Sequence, residues 1–239
     1  MSSTPILASR FRTHLNRLSA EAGWAACNLR SGRSLVFNDR RFLAASTIKL
    51  PLLLIYAQHR HQAIFKEPYI YDPQVYCEDS PCFDAVVPGT AVSWDDIATW
   101  MMTLSDNTAT NLLLDYFGLD AIQNWIQHQG FETMALNRRM MDLDARSRGI
   151  DNWTTPGEMM QLMARLANGS LMPAEASNWS LEILHRCEDR EKIPYFFQTP
   201  IRVANKPGEL PGIRCDVGYV HDEQHEIVMA YSATDCQIQ

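Results

Sequence analysis

The sequence lacks any surplus of positive charge. Its 239 residues carry 21 Lys and Arg against 28 Asp and Glu, a formal net charge of -7. No general field is therefore available to hold phosphate backbones or anionic lipid, and nucleic acid is not an expected partner. Long hydrophobic runs are lacking too. The longest, Leu50–Ala57, falls far short of the 18 or more residues that a membrane-spanning helix needs, so no membrane span is predicted. Met1 to Leu7 contains no charged segment leading into an apolar stretch. That predicts a cytoplasmic location for the chain as written, and a periplasmic or extracellular one if a leader has been removed. Internal repeats and low-complexity tracts are absent.

The cysteines, at positions 27, 77, 82, 187, 215 and 236, follow no disulfide-framework spacing. A chain of this length does not need covalent staples, so mostly free thiols are expected. Cys77 and Cys82 come nearest to an exception, as a loop disulfide or half a metal site. No second paired ligand set follows them, and neither a metal nor a cofactor is expected.

What is present is the composition of an ordinary folded chain, with 46% hydrophobic and 21% charged residues. Folding on this scale buries roughly 70% of the surface. Leu7, Phe11, Leu15 and Leu18 recur at helical spacing near the N-terminus. Trp24–Leu29 and Ser34–Phe37 flank the turn-forming Arg30-Ser31-Gly32-Arg33 and predict a hairpin. From Ser46 to about Arg190 the apolar positions mostly follow helical spacing, as in Ile97, Trp100, Met101 and Leu104, then Leu112, Leu113 and Tyr116, with Gly118 and Gly130 as stops. Strand character returns at Ile201–Ala204, Asp216–Val220 and Ile227–Tyr231. The expected fold class is α+β: an antiparallel sheet built from both chain ends, with an inserted all-helical domain. The boundaries fall at 1–43 and 191–239 for the sheet domain and at 44–190 for the helical one. A cleft between them is the natural place for a small-molecule site.

Ser46-Thr47-Ile48-Lys49 opens an apolar helical run, which places Ser46 in the first turn and Lys49 on the same face. A serine hydroxyl is a poor nucleophile until a base removes its proton, and a desolvated lysine beside other cations supplies such a base. The helix N-terminal amides would favour a developing oxyanion. A bland role for Ser46 is helix capping, although Pro51 fits only if the helix has just begun. Ser105-Asp106-Asn107 lies between two helical patterns, where a capping turn is expected in any case. Asn205-Lys206-Pro207-Gly208-Glu209 reads by itself as an exposed turn. His59-Arg60-His61 is better explained as a cationic helix terminus than as a metal site, and the tryptophans and methionines as core.

Ser46, Ser105 and Lys206 stand 59 and then 101 positions apart. In order, spacing and local sequence, SDNTATNLLL above all, the chain resembles the class A beta-lactamase and penicillin-recognising serine hydrolase family, whose elements are S-x-x-K, S-D-N and K-[ST]-G. The resemblance covers most of the chain and implies the same two-part fold. It implies that Ser46 attacks a carbonyl and is acylated while Lys49 takes its proton, directly or through a water. Ser105 and Lys206 would carry a proton to the leaving group, and Asn107 would bind the substrate's side-chain amide. Gly208 and Glu209 would line the substrate, with the Ser46 and Glu209 amides as oxyanion hole. Arg214 would fork onto a substrate carboxylate, or else is a solvated surface arginine.

The chain departs from the family pattern in three places. Pro207 stands where a threonine or serine is usual and removes both a hydroxyl and an N–H, so affinity for penicillins should suffer. Met140 and Met141 occupy the place of the glutamate that activates the hydrolytic water. Asp142 is adjacent, as a substitute base or, more simply, as a loop acid paired to an arginine. Only eight residues follow Tyr231, so the family's closing helix is expected to be missing or short, which leaves self-association open. The leading expectation is a serine hydrolase for a small-molecule acyl donor, weak or slow as a beta-lactamase. The alternatives are a non-catalytic binder on the same fold, or a cell-wall peptidase or esterase.

Overall fold

A computed structural model describes residues 21–236. The expected helix through Leu7 and Leu18 lies outside the described residues, as does the end of the chain after Cys236. Strands β1 (Glu21–Asn28) and β2 (Ser34–Phe37) form the first hairpin. Two-residue strands β3 (Phe42–Leu43), β4 (Tyr69–Ile70), β5 (Ala91–Val92) and β6 (Trp153–Thr154) brace the loops, and β7 (Arg202–Leu210), β8 (Ile213–His221) and β9 (Glu226–Thr234) close the sheet. The antiparallel order β2-β1-β9-β8-β7 places both chain ends side by side, with Trp24 opposite Tyr231. The helices are α1 (Lys49–His59), α2 (Trp94–Thr103), α3 (Asn107–Phe117), α4 (Leu119–His128), α5 (Leu143–Ser147), α6 (Pro156–Ala167) and α7 (Ala174–His185). None among the described residues is long and apolar enough to cross a membrane.

Helix α1 is buried from Lys49 through Ala57 and packs against α2, α3, α4 and α7. This explains its apolar residues on every face. Helix α6 lies on β1, β8 and β9, and α7 on β7. Met101, Met102, Met134, Met159 and Met163 all sit in the core. Glycine ends α3 at Gly118, which also caps α4, and Gly130 follows the end of α4; their φ angles are 80° and 85°, a region that favours glycine.

Two expectations need correction. The stretch from Gln62 to Ser93 is built of 3-10 turns and the β4–β5 pair rather than helix, because its prolines and aspartates favour turns. Asn205–Glu209 is no exposed turn: it lies within β7, and Asn205 through Gly208 are buried. Pro207 is tolerated there because β7 is an edge strand, where a missing N–H breaks no ladder in the sheet interior. The cysteines agree with expectation: all six are free thiols, and of the alternatives for Cys77 and Cys82 the loop disulfide does not form.

Candidate active site

The chain enters α1 through a 3-10 turn, Ala45–Ile48, with no side-chain cap, so Ser46 is free of a capping role. Ala45 holds φ at 44°, a left-handed conformation unusual for alanine. Ser46 lines a cleft of about 580 Å³. Edge strand β7 runs directly against this turn, and Gly208 explains how. A Cβ there would sit 2.8 Å from the Ser46 amide nitrogen, 2.8 Å from the Cys215 Sγ and 3.0 Å from the Thr47 nitrogen. Only a residue without a side chain permits the approach.

Lys49 is fully buried beneath the cleft. Its Nζ donates to the Ser105 carbonyl at 2.5 Å, to the Ser105 hydroxyl at 3.2 Å and to Asn107 Oδ1 at 2.8 Å. Ser105 adopts φ of 59°, which lets one residue offer both oxygens to one ammonium. Asp106 between them caps α3 by accepting from the Ala109 N–H, and its other oxygen accepts from the Cys82 and Phe83 N–H groups. Both readings of this triplet thus hold at once: the middle residue caps, and its neighbours face Lys49. Asn107 also donates to the Glu78 carbonyl, so both ends of its amide are engaged.

Burial lowers the Lys49 pKa well below its ordinary value, and the nearby Lys206 charge lowers it further, against the raising influence of Asp106, Cys77 and Asp79. Lys206, on β7, is also fully buried and lowered chiefly by desolvation. It lines the cleft together with Ser46, Ser105, Asn107, Gly208 and Glu209. Four of the six non-glycine positive-φ residues among those described, Ala45, Asp79, Ser105 and Met141, line this same cleft. Left-handed backbone conformations are thus concentrated around the cleft.

Two expected residues stand elsewhere. Asp142 does not line the cleft and, among the described residues, pairs with no arginine; its carboxylate caps α5 by accepting from the Ala145 N–H at 2.9 Å. The arginine contacts go instead to buried Asp151, which takes Arg138 at 2.8 Å and Arg146 at 3.6 Å, closing the loop between them. Arg214 also lies outside the cleft lining. Its guanidinium donates to the Leu210 and Ile213 carbonyls and faces Glu209 at 3.4 Å.

The sequence reading missed several residues. Lys192 bridges Asp189 at 2.6 Å and Glu209 at 2.7 Å, so the unusual glutamate at the cleft edge is charge-compensated. Its signal, the charge run Glu188–Lys192, resembles any solvated segment. Asn111 on α3 accepts from the Met140 N–H at 2.9 Å and donates to the Met140 carbonyl at 3.2 Å. The main chain at Met140, a residue that lines the cleft, is thereby fixed.

The model of the Beta-lactamase enzyme family matches residues 6–237. The chain belongs to that family. A beta-lactamase from Desulfarculus baarsii is 26% identical, with a TM-score of 0.89 over 99% of this chain and 91% of that one. A beta-lactamase from Sphaerobacter thermophilus is 24% identical, with a TM-score of 0.87 over 96% and 88%. PBP-A, in a leucine-to-glutamate variant solved as an acyl-enzyme complex with penicillin G, is 24% identical, with a TM-score of 0.86 over 96% and 88%. Among curated proteins, no sequence matches. The fold read from the sequence, strands from both ends around a helical middle, is the fold of these beta-lactamases.

Proposed function

We propose that this family member is a serine hydrolase that acylates Ser46 with a small-molecule ester, amide or strained lactam and releases the acyl group slowly. The observation that carries the reading is the gathering of Ser46, Ser105 and Lys206 around one cleft, with Lys49 hydrogen-bonded to Ser105 beneath it. Neutral Lys49, its ammonium disfavoured by burial and by Lys206, takes the Ser46 proton as Oγ bonds to the substrate carbonyl carbon. When the carbon–nitrogen or carbon–oxygen bond of the substrate breaks, the leaving group takes a proton through Ser105, beside Lys49. Water then attacks the ester and frees Ser46.

That last step lacks a well-placed base. Met140 carries no proton acceptor, Asp142 caps a helix, and Asp151 is held by two arginines. Pro207 offers a substrate carboxylate neither hydroxyl nor N–H. These two features favour a second reading, a binder with the cleft but without turnover.

Incubation with a fluorescent penicillin and a panel of activated esters, followed by intact-mass measurement, separates the two readings. A long-lived adduct lost in Ser46→Ala supports the hydrolase. Ligand binding that is unchanged in Ser46→Ala, with no adduct from any donor, supports the binder.

A further inference from the structure

Away from the cleft, two histidines converge. His185 ends α7 and His221 ends β8, and their Nε2 atoms hydrogen-bond to each other at 3.1 Å, with the rings tilted by 50°; a cation would take the place of the hydrogen they share. Cleft-lining Lys206 lies four residues along β7 from Arg202, the partner of His221 in the ladder. His221 stacks on Tyr219 at 4.5 Å and 7°, and the Tyr219 hydroxyl donates to Glu226 at 3.2 Å, which fixes the His221 ring plane.

Two imidazole nitrogens at ordinary metal distances of about 2.0–2.1 Å stand about 2.9 Å apart at a right angle and about 3.3 Å apart at a tetrahedral angle. The observed separation falls between these. We propose that His185 and His221 form a two-imidazole site for a late first-row divalent cation, with Cu²⁺ favoured over Ni²⁺ and Zn²⁺, and that the ion clamps α7 to the sheet. The preference follows the affinity order for nitrogen donors. No third His, Cys, Asp or Glu joins the pair among the described residues, so water completes the coordination shell.

The charged surroundings are mixed. Glu182 on α7, Glu226 on β9 and Asp222 in the β8–β9 turn favour a cation, while Arg202 on β7 opposes it and is itself 3.4 Å from Glu182.

The test titrates Cu²⁺ into the metal-free full chain at neutral pH and records the electron paramagnetic resonance spectrum and the thermal midpoint. The expected result is one ion held by two nitrogens and a raised midpoint. Losing a mere outer partner of a ligand already costs ~10–100-fold in affinity, so His185→Ala and His221→Ala should each weaken binding by at least about tenfold. A two-nitrogen signal that survives in both variants, or wild-type binding no tighter than theirs, overturns the proposal. Should either variant fail to fold by near-ultraviolet circular dichroism, wild-type proton NMR decides. Cu²⁺ should selectively broaden the Tyr219 and His221 ring signals, and unbroadened signals overturn the site.

Discussion

Lys49 gives Ser105 two hydrogen bonds, one to its carbonyl at 2.5 Å and one to its hydroxyl at 3.2 Å, and so ties the start of α1 to the loop before α3. The contact is a structural brace and, in the proposed mechanism, also the path of the proton. Ser105→Ala keeps the carbonyl brace and removes the path. Acylation should fall by ~10²–10⁴-fold, the usual worth of positioned acid–base catalysis, with little change in denaturation midpoint. A stopped-flow acylation assay beside a denaturant titration checks both.

Lys206 presses the Lys49 pKa downward by charge alone, second only to burial. The base form of Lys49 appears as pH rises through that lowered pKa, so the acylation rate should climb with pH and then level. In Lys206→Gln the repulsion is gone, the Lys49 pKa rises, and the climbing limb should move to higher pH. Rate profiles of both proteins measure the displacement.

Gly208→Ala places a methyl against backbone atoms of the Ala45–Ile48 turn, which cannot swing aside as a long side chain can. Misplacing a reacting group by about 1 Å costs on the order of 10²-fold. Acylation should drop by at least that amount, and a crystal structure should show the Ala45–Ile48 turn displaced from β7.

Arg138→Ala leaves Asp151 buried with only the more distant Arg146. Breaking a buried ion pair on one side costs ~3–5 kcal/mol, which a urea titration would detect as a lowered midpoint. Met140→Glu probes the same loop chemically. With the main chain fixed by Asn111, the new carboxylate enters the cleft, and the acyl-enzyme should decay ~10²–10⁴-fold faster as read by adduct lifetime.

Asp216, buried on β8, accepts from Asn205 and from the Ile193 N–H, and desolvation pushes its pKa from 3.8 up to about 7. Below pH 4 the folded and unfolded chains both hold this proton, and its contribution to stability is complete. Between 4 and 7 only the folded chain keeps it, so stability should fall by roughly 2–4 kcal/mol as pH rises through that window and then level. Asp216→Asn cannot ionise and should flatten this part of the profile, as denaturation at pH 5 and pH 8 would show.

The sheet was legible because period-two alternation and turn residues survive burial on one face, as in Trp24–Leu29 and Ile227–Tyr231. The positions of Ser46, Lys49, Ser105 and Lys206 were legible because each lies in a short local motif. Less visible was whatever depends on contacts between distant segments. The strand running through Pro207 could not be read, because edge position alone makes proline acceptable there. Lys192 reaches Glu209 across the fold, and the loop acid that pairs with arginine is Asp151, which takes Arg138, rather than Asp142. Asp142 instead follows the local rule for a carboxylate opening a helix.

Peptide mapping of the acylated chain tests the central claim most directly. After a brief incubation with an activated ester or a penicillin, tandem mass spectrometry of the digested protein should locate the acyl group on Ser46 and nowhere else. A label confined to a cysteine, a lysine or another serine, or no label at all, would contradict the account.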